Sequence, residues 1–309
     1  SLNNITNAKK VDLYGCHQLS ELPKFTNLEE INLSICFSLT NESLNNITNA
    51  KKVNLNKCYQ ISELPIFTNL EEINLTKCTS LTNESLYNII DAKKVVLTKV
   101  NNTCELPKFT RLEEIKLVRC SSLTNESLEN ISHVKKIILD NCINISKLPI
   151  YNSFEYINIT NNQLLTNESI YNIRYVKTII LNRCFNISEL PLFTNLNTII
   201  LTKCTSLTNE SLNNITNATQ VILDDCNQIS ELPKLTRLRH ISLINCPLLT
   251  NESLNNITNA KRVMIYGCIK ISELPKNALF EEICIQRTNL TERYVYSLYP
   301  NIRIINHYI

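Results

Sequence analysis

The sequence predicts an α/β solenoid, on three observations. A phrase of 42 residues restarts at Ser1, Ser43, Ser85, Ser127, Ser169, Ser211 and Ser253 without an insertion, and a fixed period of this size marks a repeat architecture. Each phrase divides into two units that share the skeleton LxxLxLxxCxxL. Apolar residues two apart, as in Ile73 and Leu75, describe a short strand with one buried face. A repeat array grows by stacking rather than by enlarging one core, so the 309 residues read as one continuous array.

Within a phrase the shorter unit comes first. In Ala50 to Asn69 the skeleton positions are Ala50, Val53, Leu55, Cys58 and Ile61. Ser62-Glu63-Leu64-Pro65 follows, and Pro65 disfavours a long helix, so the return segment is expected to be extended or one tight turn. In the longer unit, Leu70 to Asp91, Leu70, Ile73, Leu75, Cys78 and Leu81 take the same positions. Thr82 is then placed as a helix N-cap, with Glu84 in the first turn where a carboxylate favours the helix dipole. Leu86 and Ile89 supply the inner stripe of that helix.

This skeleton resembles leucine-rich repeats over essentially the whole chain. The longer unit, with Cys at the ladder position and LTNESL after it, looks like the cysteine-containing class common in F-box proteins. The shorter unit ending in SELP is similar to the short repeats of bacterial effectors, which carry Leu-Pro in the same place. The resemblance implies a horseshoe with a parallel concave sheet of about 14 to 15 short strands and short helices or extended segments on its convex side. In such repeats the ladder residue is Asn or Cys, satisfying backbone groups at the turn, and Asn162 replaces Cys in one longer unit. Val100 and Thr288 depart from the pattern; Val100 cannot make such a bond, and local irregularity is expected over Val100 to Cys104.

The array is assigned to residues 1–288 and a C-terminal cap to 289–309. There Tyr294, Val295, Tyr296, Leu298 and Tyr299 replace the polar pattern, and a last strand is expected at Ile304 to Asn306. No comparable cap precedes Val11, which predicts further sequence upstream of Ser1.

Lys and Arg number 31 against 28 Asp and Glu, a net charge of +3, too small to argue for nucleic acid or a membrane. No apolar run approaches a membrane span and no signal-peptide pattern opens the chain. The 13 cysteines fall mainly on two repeat positions, Cys16, Cys58, Cys142, Cys184, Cys226 and Cys268, and Cys36, Cys78, Cys120, Cys204 and Cys246. They lack CxxC metal spacing and read as reduced, buried ladders rather than disulfides or zinc ligands. Sequons recur, including Asn74-Leu75-Thr76 inside a strand, so the cytoplasm, or a host's cytoplasm for an effector, is the expected compartment.

Strand alternation places columns of side chains on the concave face. The first column reads Lys10, Glu30, Lys52, Glu72, Lys94, Glu114 and Lys136, alternating in sign, then Tyr156, Thr178, Thr198, Gln220, His240, Arg262 and Glu282. The alternating part reads first as a solvated ladder and second as a means of steering a charged partner. In the middle column Ile138, Ile180, Ile200, Ile222 and Met264 are expected to point outward, with Tyr156, Ile244 and Tyr266 nearby and Arg239, His240 and Arg262 as polar rim. Exposed apolar rows with polar rims mark interaction sites; against this stands the plain strand propensity of Ile.

The four histidines fall at four phases of the repeat, so no spacing gathers a triad or metal site, and with only Gly15 and Gly267 there is no phosphate loop. The expected function is therefore non-catalytic protein recognition on the concave face. The partner-binding residues are Tyr156, Ile180, Thr198, Ile200, Gln220, Ile222, His240, Ile244, Arg262, Met264 and Tyr266. No cofactor, metal, nucleic acid or membrane is expected, and the chain is expected to be a monomer. The F-box likeness implies a substrate receptor of a ubiquitin ligase. The alternatives are a pathogen effector binding a host protein and a structural or surface repeat with no specific partner.

Overall fold

The computed structural model describes residues 2–100, 102–103, 105–151 and 154–305. The chain forms two compact units, Ser1–Ser153 and Phe154–Ile309. The first holds β1 (Lys10–Asp12), β2 (Glu30–Asn32), β3 (Lys52–Asn54), β4 (Glu72–Thr76), β5 (Lys94–Thr98), β6 (Glu114–Val118) and β7 (Lys136–Asp140). The second holds β8 (Tyr156–Thr160), β9 (Thr178–Asn182), β10 (Thr198–Thr202), β11 (Gln220–Asp224), β12 (His240–Ile244), β13 (Arg262–Tyr266), β14 (Glu282–Cys284) and β15 (Arg303–Ile304).

Within each unit neighbouring strands pair in parallel and in sequence order, equivalent repeat positions facing each other, as in Ile179, Ile199 and Val221. The fold is a leucine-rich-repeat solenoid, with fifteen strands among the described residues. Alternation within each five-residue strand buries the second and fourth side chains and leaves the other three half-buried, apart from the exposed Lys116 of β6 and Arg262 of β13. The core columns include Leu75, Leu97, Leu117 and Leu139, all fully buried.

The return segments differ as the sequence predicts. Longer units carry short helices α1 (Asn41–Leu44), α2 (Asn83–Leu86), α3 (Asn125–Glu129), α4 (Asn167–Tyr171) and α5 (Asn209–Leu212), while residues 60–70 of a shorter unit contain no helix. Thr82 stands at the N-cap in extended conformation, but its hydroxyl meets the Ser85 hydroxyl, 3.3 Å away, rather than a helix N–H. The buried Ser85 donates in turn to the Ser62 carbonyl at 2.7 Å. A cap is thus converted into a bond between successive units.

Asparagines do the same work elsewhere. Asn209 accepts from the N–H groups of Ser230 (2.9 Å) and Glu231 (3.1 Å) and donates to the Ser230 hydroxyl at 2.9 Å. Asn167 makes the equivalent bonds to Ser188 and Glu189, and Asn251 to Ser272 and Glu273. Asn88 and Asn214 donate to Leu64 and Leu190 at 2.6 and 2.7 Å. Solenoid repeats touch only their neighbours, so such bonds carry much of the interface between units.

The ladder cysteines donate to the strand carbonyl of the preceding unit, Cys78 to Leu55 at 3.0 Å and Cys204 to Leu181 at 3.3 Å. Asn162, 1% exposed, donates to Thr160 O at 2.9 Å, consistent with a hydrogen-bonding role for this position. Where Val100 lacks a donor, the buried Thr103 hydroxyl bonds the Val100 carbonyl at 3.3 Å. Asn101 and Cys104, part of the expected irregular stretch, lie outside the described residues.

Removal from water pushes the thiols of Cys58, Cys184, Cys204 and Cys226 up to about 12. Iodoacetamide applied to the native protein at pH 8 is therefore expected to label the exposed Cys16 and to spare these four until denaturant is added. Mass spectrometry of the labelled peptides reads the result, and fast labelling of Cys204 would contradict a packed ladder.

The residue before the ladder position adopts a left-handed backbone in nearly every unit. Both glycines of the chain stand there, Gly15 (φ 73°) and Gly267 (φ 67°), and a Cβ on Gly267 would meet Asn245 Oδ1. Ile35 occupies the same turn at φ 67°, a conformation that opposes a β-branched side chain by about 1 to 2 kcal/mol. Ile35→Gly is expected to raise stability by about 1 kcal/mol in a urea titration; a loss would mean that the Ile35 side chain packs well enough to offset the strain.

At the end of the second unit α6 (Glu292–Leu298) follows Thr291, whose hydroxyl accepts from Tyr294 N at 3.2 Å. Tyr294 accepts from Leu274 N at 3.2 Å, and Tyr299 donates to the Pro275 carbonyl beside Phe280. The last strand is Arg303–Ile304, one residue earlier than expected; Asn306, with residues 307–309 of the expected cap, lies outside the described residues.

Candidate open-face recognition site

Parallel register turns repeat positions into columns on the open face. In β9, β10 and β11 the middle residues Ile180, Ile200 and Ile222 are direct neighbours. All three are half-buried, covered in part by each other at the spacing of about 4.8 Å between strands. The row is bounded by Asn158 on β8 and by Ser242 on β12, which separates Ile222 from Met264. The apolar face is therefore one continuous three-strand row with Met264 standing apart.

The surrounding positions hold polar groups. Thr198 and Gln220 are register neighbours, the Thr198 hydroxyl reaching Gln220 Oε1 at 3.5 Å. His240 faces Gln220 on one side and Arg262 on the other. Arg262 is held by Glu282, Nε to Oε2 at 2.7 Å. Tyr156 neighbours Thr178, and Ile244 pairs with Tyr266, whose ring lies under Arg287 at 5.1 Å. Tyr156, Thr198, Gln220, His240 and Arg262 share the first column, and Ile244 and Tyr266 lie in the third. Ile138, on β7, belongs to the first unit.

The first unit presents a different face. Its sign-alternating column forms ion pairs, Lys10 with Glu30 at 2.9 Å, Lys52 with Glu72 at 2.8 Å, and Glu114 between Lys94 and Lys136 at 3.4 Å each. A second ladder one residue earlier escaped sequence reading: Glu29 between Lys9 and Lys51, Glu71 with Lys93, and Glu113 with Lys135. Its signal was the doubled KK and EE at the head of each unit. Exposed pairs of this kind are screened by solvent and contribute little to stability.

The hydrogen bond from Lys9, with Lys51 nearby, lowers the Glu29 carboxyl, and the Lys93 bond lowers Glu71. A depressed folded-state value stabilises above the unfolded value and is lost as pH falls through the folded one. These two groups therefore favour the fold at neutral pH and cease to do so in acid.

Along the first of these ladders lies a shallow trough of about 530 Å³ lined by Lys10, Asp12, Glu30, Asn32, Lys52 and Asn54 among others. Its asparagines are engaged structurally, Asn32, Asn54 and Asn74 accepting from the N–H groups of Ser34, Asn56 and Thr76. Sequence reading also missed a stack of rings following the strands, His17 on Phe37 at 4.8 Å and Phe37 on Tyr59 at 5.5 Å. That stack was visible only as one aromatic position repeated in three early units.

Among the described residues no group of three His, Cys, Asp or Glu could hold a metal ion, and no helix is long and apolar enough to cross a membrane. His17 and His240 lie in different units, and His307 lies outside the described residues.

No protein-family profile and no curated protein sequence matches the chain. Among solved structures it is similar to the Rad7 and Elc1 complex of yeast, with 17% identity over 91% of this chain and 81% of that one and a TM-score of 0.45. It is also similar to a leucine-rich-repeat protein of Leptospira interrogans, with 16% identity over 99% of this chain and 97% of that one and a TM-score of 0.39. Neither likeness bears on what this chain binds.

Proposed function

We propose that the chain is a non-catalytic recognition module that binds another protein through the open face of β8 to β13. The observation that carries this reading is the row Ile180, Ile200 and Ile222, three apolar side chains in direct register on a sheet face where polar residues are the rule. Tyr156, Thr198, Gln220, His240 and Arg262 supply hydrogen-bonding groups along one side, and Ile244, Tyr266 and Met264 add a second apolar contact beyond Ser242. Arg262, already paired with Glu282, acts as a fixed donor rather than a mobile one.

The finer reading is a substrate receptor of a ubiquitin ligase, on the resemblance of the cysteine-containing units to those of F-box proteins. The module acts as a monomer in a reducing compartment. There the ladder thiols stay free, and the Asn Nδ2 atoms that join the units escape glycosylation. The segment around α6 serves as the terminal cap of the array.

The test replaces Ile180, Ile200 and Ile222 together by Glu. Affinity capture is expected to lose a partner retained by the parent protein, with a fall in affinity of about a hundredfold or more, while the circular dichroism spectra coincide. Capture of the same partner by the variant with equal affinity would remove the apolar row from the site.

A further inference from the structure

In the first unit four consecutive turns put a cation at the left-handed position: Lys57 (φ 62°), Lys77 (φ 60°), Lys99 (φ 54°) and Arg119 (φ 53°). Their backbone N–H groups extend the sheet ladder, donating to Thr76, Thr98, Val118 and Asp140. The turns are therefore stepped at the strand spacing, and the row is about 14 Å long. Arg119 is exposed and the three lysines are partly so.

Two observations set this row apart. The first is its backbone: a left-handed turn favours Gly or Asn, and Lys or Arg there works against local conformational preference. Other turns of this chain do use the favourable residues, Gly15 in this unit and Asn161, Asn245 and Gly267 in the second.

The second observation is charge. Lysines of the two ladders in this unit pair with Glu on a neighbouring strand, whereas none of these four cations has an acidic partner among the described residues. The residues immediately before them, Asn56, Thr76, Thr98 and Val118, and after them, Cys58, Cys78, Val100 and Cys120, are all neutral. In the second unit the equivalent row is broken, with Lys203 neutralised by Asp225 at 3.7 Å and Asn245 following.

The geometry points to this edge of the first unit as a docking site for an extended acidic segment of a partner protein, distinct from the apolar face of β9 to β11. The row is one residue wide with neutral flanks, which suits a single extended chain whose carboxylates meet successive cations. A nucleic-acid duplex is wider than the row. Its phosphates would also lie over Glu72 and Glu114, which stand five residues earlier on the same strands, about 16 Å away.

The test uses the full chain and fluorescein-labelled poly-glutamate, an extended acidic probe at neutral pH. Fluorescence anisotropy at low salt is expected to show binding that weakens as salt rises. The variant carrying Lys57→Asn, Lys77→Asn, Lys99→Asn and Arg119→Asn is expected to lose about tenfold or more of that affinity. Its melting temperature should stay level or rise, because Asn suits the left-handed turn. Lys51→Gln, Lys93→Gln and Lys135→Gln together change a paired ladder and are expected to leave binding within about twofold. The proposal is overturned by equal binding of the Asn variant, by no binding of the parent protein, or by an oligothymidylate of equal charge binding as tightly as poly-glutamate.

Discussion

Phe193→Ala is expected to destabilise the second unit by about 3 to 5 kcal/mol. Phe193 is 1% exposed and sits between Pro191 and β10, its N–H held by Asn214 O at 3.4 Å. The same position is filled by Phe25, Phe67 and Phe109 in the first unit, all nearly or fully buried. A shorter unit has no helix there, so Phe193 fills its return segment together with the buried Leu190 and Leu196, and Ala leaves a cavity. Urea unfolding followed by circular dichroism measures the effect, provided the transition is first shown to be two-state. Phe193→Leu should restore more than half of the loss, and a deficit below about 1 kcal/mol for the Ala variant would show that the site relaxes around the gap.

Asn209→Ala is expected to cost about 2 kcal/mol, the sum of three modest hydrogen bonds to Ser230 and Glu231 less the helix propensity gained at the start of α5. Asn209→Asp keeps both acceptor bonds but loses the Nδ2 donor and adds charge close to Glu210 and Glu231, so an intermediate cost is expected. An Asp variant as unstable as the Ala variant would show that the donor bond to the Ser230 hydroxyl dominates. Asn209-Glu210-Ser211 is also a sequon, and a glycan on Nδ2 would occupy the atom that reaches Ser230. Secretory expression should therefore lower stability unless Asn209 and its equivalents are left unmodified.

The repeat, its strands and its buried columns could be read from spacing alone. Leu75, Cys78 and Leu86 are buried where the skeleton places them, and Pro65 excludes a helix as expected. What could not be read was the work of the polar residues. Asn209 and Ser211 were given no role by the spacing, yet Ser211 is buried and donates to Ser188 O at 2.5 Å. Such bonds join residues more than twenty positions apart, and no local pattern distinguishes a solvated amide from one that bonds the next repeat.

The candidate site divides in the same way. Alternation placed Ile180, Ile200 and Ile222 in one column on consecutive strands, and the pairing of β8 to β12 sets them in direct register between Asn158 and Ser242. The cation row was out of reach because nothing in the spacing marks Lys57, Lys77, Lys99 and Arg119 as left-handed.

By itself the sequence determined the solenoid, because a repeated apolar skeleton admits one stacking in which every unit buries its face against the next. Tertiary structure alone decided which polar and charged side chains are consumed in joining the repeats and which are left over. The physical reason is distance: hydrogen bonds and ion pairs act within a few ångströms, and which groups come that close across successive repeats is settled only when the chain is stacked.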